Sequence, residues 1–176
     1  MLEVNEYVVY GHNGVCYVED CRIEKFGGEA RKYYILKPVS NEDSTLYVPV
    51  DNDVLMDKMK DILTRKEIMT IIHSLPEDEL EWIEESKTRS SNYDDIFARG
   101  SRRELLLMIK SIYKKKKERK AEGKKLWTMD DNAMKKAEQL VYEEFATVLG
   151  IEPNQVVKYI QSEIDRADEE AANKTK

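Results

Sequence analysis

Twelve lysines and arginines fall within residues 99–125, against three glutamates, Glu104, Glu118 and Glu122. That window carries +9 in a chain whose formal net charge is −6, and the flanks carry −10 (residues 1–98) and −5 (126–176). Guanidinium and ammonium groups crowded onto one segment make the sequence-independent contacts by which proteins hold nucleic-acid phosphates, with an affinity that falls steeply with salt. An acidic remainder keeps the rest of the molecule from binding nucleic acid indiscriminately. A lysine run is also an ordinary solvated helix end, and cations near a helix C-terminus suit its dipole. For Lys114, Lys115, Lys116, Lys117, Arg119 and Lys120, the neighbouring Arg99, Arg102 and Arg103 tip the reading towards phosphate contact.

Other chemistry finds no foothold. There is no P-loop, no glycine fingerprint of a dinucleotide site and no HExxH, so neither an enzyme nor a cofactor is expected. Cys16 and Cys21 lie five residues apart on one extended segment, too far for a disulfide, and with His12 and His73 they form no metal-ligand spacing. His12 reads as a turn residue. The carboxylate pairs Asp130-Asp131 and Glu143-Glu144 sit on amphipathic segments and read as structural.

The elements that must position the basic cluster change character near residue 52. Tyr7-Val8-Val9-Tyr10, residues 15–26, Tyr33-Tyr34-Ile35-Leu36 and Leu46 to Val50 read as short strands. Asn13-Gly14 and Gly27-Gly28 mark hairpins, and Pro49 confines its strand to an edge. Four or five short strands bury little as an open sheet, which favours a closed SH3-like or Tudor-like barrel. Residues 53–62 and 64–74 read as two short helices, and 77–92 as an acidic, then polar, connector. Residues 93–99 follow as a short helix closed by Gly100.

Ser101 with Glu104 is a capping box for the main helix, whose apolar stripe is Leu105, Met108, Ile109, Ile112 and Tyr113. Thr128 with Asp131 offers another, before a helix carrying Met134, Ala137, Leu140, Val141, Phe145 and Leu149. Pro153 opens a last helix, with fraying from Arg166. Trp127 reads as a staple-like core contact. The fold class is α+β, with no apolar run long enough to span a bilayer and no secretory signal, so a cytoplasmic address is expected.

One resemblance runs through this order of residues. Tyr7-Val8-Val9-Tyr10, Gly14-Val15, Tyr33-Tyr34-Ile35-Leu36 and Val48-Pro49-Val50 resemble the CarD/CdnL family of bacterial transcription regulators, whose N-terminal module also occurs in transcription-repair coupling factors. Trp82-Ile83, Arg89, Gly100, Arg102-Arg103-Glu104-Leu105, Gly123-Lys124-Lys125 and Glu143-Glu144-Phe145 follow in the order of clostridial-type members. The resemblance implies a Tudor-like module at 1–52 that binds the RNA polymerase β subunit, connecting helices at 53–76, a helical DNA-binding domain at 77–165 and a polar tail at 166–176. It implies no enzymatic activity. Duplex promoter DNA would be held near the upstream edge of the bubble with little sequence specificity, and a tryptophan in the minor groove would slow bubble collapse.

With the charge pattern, the candidate site residues are Trp82 as the wedge that the resemblance implies, and Arg89, Arg99, Arg102, Arg103, Lys110, Lys114, Lys115, Lys117, Lys124 and Lys125 as DNA contacts. Tyr34, Leu46, Tyr47 and Pro49 are the partner-binding candidates. Two positions depart from the family pattern: Glu24 and Tyr47 stand where polymerase-gripping arginines are expected. The competing reading is a protein–protein adaptor whose basic helix meets an acidic partner or an RNA.

Overall fold

The computed structural model describes residues 2–174. The chain divides into two compact units, Met1–Leu63 and Thr64–Lys176. The division therefore falls after residue 63 rather than at 52.

The first unit is a five-stranded antiparallel sheet: β1 (Tyr7–Tyr10), β2 (Val15–Phe26), β3 (Glu29–Pro38), β4 (Leu46–Pro49) and β5 (Met59–Asp61), in the order β4-β3-β2-β1-β5. The expected closed barrel is not formed, because β4 and β5 stay at opposite edges. The sheet protects its apolar face in another way. Val8, Cys16, Val18, Tyr34, Leu36 and Val48 form the core, and Leu55, Met56 and Met59 pack against it. Leu55 and Met56 come from α1 (Asp53–Met56), a single turn started by the Asn52 side chain accepting from the Leu55 N–H. The helix expected over 53–62 thus stops at Met56, and residues 59–61 pair with β1 as the fifth strand.

Gly27 and Gly28 have φ of +64° and +91° between the paired Phe26 and Glu29, the two positive angles that a tight hairpin turn needs. Asn13-Gly14 does not turn this way. Residues Gly11–Asn13 form a 3-10 turn, and of residues 13 and 14 only Gly14 has positive φ. Pro49 ends an edge strand, as expected. Neither cysteine is in a disulfide.

The second unit contains α2 (Arg65–Ser74), α3 (Ser86–Arg99), α4 (Arg102–Ala121), α5 (Thr128–Leu149) and α6 (Val156–Lys174). Ile68, Ile72, Ile96, Met108, Ile112, Val141, Phe145 and Val156 are its buried centre. α3 begins seven residues earlier than the sequence suggests, because the Glu85 carboxylate accepts from the Lys87 and Thr88 N–H groups and caps the helix there. Gly100 closes it in the left-handed conformation. α4 starts at the expected Ser101 cap, but Tyr113 falls outside the stripe, exposed beneath the Lys117 ammonium at 4.8 Å. α5 lacks the expected Thr128 box: Trp127 occupies the cap position without a side-chain bond, and Asp131 pairs with Lys135 instead. α6 continues past Arg166, which bonds Glu163 one turn earlier.

α2 owes its start to a reciprocal capping box. The Thr64 N–H donates to the Glu67 carboxylate at 2.7 Å, and the Glu67 N–H donates to the Thr64 hydroxyl at 3.3 Å. Thr64→Ala should cost about 1 kcal/mol in urea unfolding. The Thr64 backbone N–H, first, and its hydroxyl hold the Glu67 carboxyl below the usual range. A depressed folded-state pKa stabilises above the ordinary glutamate pKa, and that contribution is lost as pH falls through the lowered value. The difference between wild type and Thr64→Ala should therefore shrink on acidification.

Candidate nucleic-acid interface

Much of the basic surface of α4 is already engaged within the helical unit, by the irregular acidic segment between α2 and α3. Arg103 bonds the Asp78 carboxylate and donates to the Ser74 hydroxyl. The Lys110 ammonium donates to the carbonyls of Leu75 and Asp78, both at 2.9 Å. Lys114 meets Glu79 at 3.3 Å, and Lys115 meets Glu84 at 3.3 Å and Glu118 at 3.7 Å. Arg99 forks onto Glu104. Arg102 is mostly buried, held by Glu144 at 2.6 Å and the Gly100 carbonyl. The carboxylates that looked structural in the sequence, Asp130 and Glu144, are the partners of buried or half-buried arginines.

Arg89 is the clearest correction among the candidates. It is 3% exposed, and its guanidinium donates through Nε and Nη2 to the two oxygens of Asp130 (2.8 and 3.1 Å) and through Nη1 to the carbonyls of Ile83 and Glu84. Four of its five N–H groups are used, which leaves no face for a phosphate. Asp130 is fully buried and also accepts the Tyr93 hydroxyl at 2.9 Å. Burial first, then this carboxylate, pushes the Tyr93 phenol well above its ordinary range. The cluster ties the acidic segment, α3 and α5 together.

Above it lies an aromatic pile. Trp82 and Trp127 stack with centroids 6.1 Å apart and planes 19° from parallel. The Arg89 guanidinium sits 4.5 Å from the Trp82 ring and the Lys115 ammonium 5.3 Å from it. Trp82 is half-buried, and its buried indole N–H has no acceptor among the described residues. Trp127 is the more open of the two, at 40% exposure, so it is not the core staple its sequence position suggests. The Arg119 guanidinium lies on it at 3.6 Å.

The cations that remain available lie at the α4–α5 turn. Lys116, Lys120, Lys124 and Lys125 line a groove of about 440 Å³. Lys116 pairs with Asp131 and Lys124 with Glu122, whereas Lys120 and Lys125 make no ion pair among the described residues. Lys117 is exposed over Tyr113. Of the eleven candidate DNA contacts, then, Lys117 and Lys125 are open, Arg99, Lys114 and Lys124 are open but paired, and Arg89 is inside. Sequence reading set Arg119 among the basic residues tipped towards phosphate contact but did not bring it together with Trp127. The signal available was their separation of eight residues across Gly123, which a turn can fold back on itself.

On the sheet unit, Tyr34 is corrected as a partner-binding candidate: it is 1% exposed, with its hydroxyl at the Leu2 N–H. Leu46 packs against the core and Pro49 is half-buried. Tyr47 is exposed, edge-on to Phe26 at 5.1 Å, and Phe26 is likewise exposed. Glu24 is bonded to Arg22 at 2.7 Å. Among the described residues no helix is long and apolar enough to cross a membrane.

Residues 2–60, nearly the whole of the sheet unit, match the family model of the CarD-like/TRCF RID domain. No curated protein matches the chain.

Proposed function

We propose that this chain, whose residues 2–60 match the family model of the CarD-like/TRCF RID domain, is a transcription regulator acting by binding and not by catalysis. The RID domain is an RNA polymerase β-interacting domain, and a transcription-related role at the polymerase follows from it. The finer reading is that the helical unit holds duplex promoter DNA near the upstream edge of the bubble and changes open-complex stability in the cytoplasm. The observation that carries it is the coexistence of this domain with a +9 segment in an otherwise acidic chain.

The exposed Tyr47 and Phe26 beside the β4 edge are the groups we assign to the polymerase. With Glu24 already paired to Arg22, that contact would rest on aromatic surface instead of arginine charge. The DNA side would use phosphate contacts for affinity and an apolar ring at a distorted base step for preference. A ring that binds the melted state better than the closed duplex shifts the population, and about 1.4 kcal/mol of such preference changes the equilibrium tenfold.

The test is the lifetime of open complexes of bacterial RNA polymerase with and without the protein. Wild type should change that lifetime several-fold. Trp82→Ala, and a variant with Lys114, Lys115 and Lys117 all changed to Ala, should lose most of the change. A change that survives Trp82→Ala removes Trp82 as the wedge. An unaltered lifetime, where polymerase binding is demonstrated, leaves the adaptor reading.

A further inference from the structure

We infer that Arg119, laid flat on the exposed ring of Trp127, is a nucleic-acid contact of the helical unit. The inference rests on the DNA-binding reading above and names its contact. Four arginines lie in the basic window, and three are matched to carboxylates: Arg99 to Glu104, Arg102 to Glu144 and Arg103 to Asp78. Arg119 has no ion pair among the described residues. Its Nε donates to the Lys125 carbonyl at 2.7 Å, which fixes the plane of the guanidinium, and its two η nitrogens make no hydrogen bond among the described residues.

The support beneath Arg119 is rigid. Trp127 stacks on Trp82, Trp82 rests against Arg89, and Arg89 is bonded to the fully buried Asp130. Each layer fixes the one above it, so the outermost guanidinium is presented with little freedom left to lose on binding. Beside it, Lys116, Lys120, Lys124 and Lys125 line the groove at the α4–α5 turn. A planar cation backed by an aromatic ring, with four N–H donors that make no hydrogen bond among the described residues and ammonium groups alongside, has the chemistry to bond a phosphate bidentately or to lie on an unstacked base. An acidic peptide could exploit the charge but has no use for the flat face. That distinction makes the assignment to nucleic acid testable.

The experiment uses the full chain and a labelled DNA duplex with a short unpaired stretch at one end. Arg119→Ala should weaken binding about tenfold, the scale of one lost base-stacking contact. Arg119→Lys keeps the charge but not the plane, and should recover only a minor part of the loss. The chain has two tryptophans, so Trp82→Phe leaves Trp127 as the sole reporter, and its emission should change as duplex is added. Arg119 is on the surface, and urea midpoints equal to wild type would establish that each variant is folded.

Full recovery by Arg119→Lys, unchanged affinity in Arg119→Ala, or a Trp127 emission indifferent to bound duplex would each overturn the inference while leaving DNA binding intact. Competition by polyglutamate as effective as by duplex would overturn the assignment to nucleic acid. No duplex binding by wild type would overturn the DNA reading and this contact with it.

Discussion

Asp130→Ala should unfold the helical unit at a much lower urea concentration, with a loss of roughly 3–5 kcal/mol. The reason lies in what is left behind. Asp130 is 0% exposed and holds Arg89 through two bonds and Tyr93 through a third. Deleting the carboxylate leaves a guanidinium that cannot be deprotonated, inside the fold, without its counter-charge. Domains of this size are stable by only about 5–15 kcal/mol, so the loss is a large fraction of the whole.

Helical circular dichroism against urea measures it, and the slope should stay constant if only stability changes. Replacing both partners by apolar residues, Arg89→Met with Asp130→Leu, should return most of the stability, because no lone buried charge remains. A loss below about 1 kcal/mol in Asp130→Ala would show that water reaches Arg89 and that the pair is not the fastener of the unit. The functional consequence follows from position. Arg89 also supports Trp82, so a folded Asp130→Ala protein should show altered tryptophan emission and a weaker hold on DNA.

What the sequence could and could not reveal follows from how each signal is encoded. Helices announced themselves through local rules: Ser101 as a cap, Gly100 and Gly150 as left-handed stops, apolar residues at three- and four-residue spacing in α5. The strands were legible up to β4. The fifth, Met59–Asp61, was hidden because three residues carry no period, and it is a strand only by virtue of its pairing with β1. The closed barrel was inferred from a shortage of buried surface, which the chain makes up with Leu55 and Met56 from α1.

Charge was legible as a total but not as a pattern of pairing. Arg89 and Lys117 look alike in a sequence. One is bonded to a carboxylate forty-one residues away and the other stands in solvent. Long-range pairing of this kind has no local signature, which is why the family order suggested Arg89 and why the stacking of Arg119 on Trp127 was not foreseen. The roles of the two tryptophans changed for the same reason. Which of two stacked rings is outermost depends on the path of the α4–α5 turn.

The second large effect concerns the acidic segment. Changing Asp78 to Asn, Glu79 to Gln and Glu84 to Gln together should strengthen binding to a DNA duplex by up to about a hundredfold at 0.15 M salt. These carboxylates meet Arg103, Lys114 and Lys115, three cations that the sequence assigns to phosphates. If those cations are phosphate contacts, the carboxylates stand where the phosphates would bind. Freed cations become phosphate contacts, and each should steepen the slope of log K against log salt by about 0.9, which is worth about 0.7 log units at 0.15 M. The stability cost should be slight, since exposed pairs contribute about 0–1 kcal/mol. Glu79 and Lys114 are both about two-thirds exposed (64% and 63%).

The two quantities are independent. Tighter binding with an unchanged salt slope would mean that fewer carboxylates merely reduced long-range repulsion, since net charge acts over distance without forming contacts. An unchanged affinity would sink the idea that this flank of α4 meets DNA. Tighter binding together with a steeper slope would show that the segment competes with DNA for the same cations. A chain built in that way binds duplex weakly when alone, and commits its basic surface only where a polymerase-bound promoter supplies enough additional contact to displace its own carboxylates.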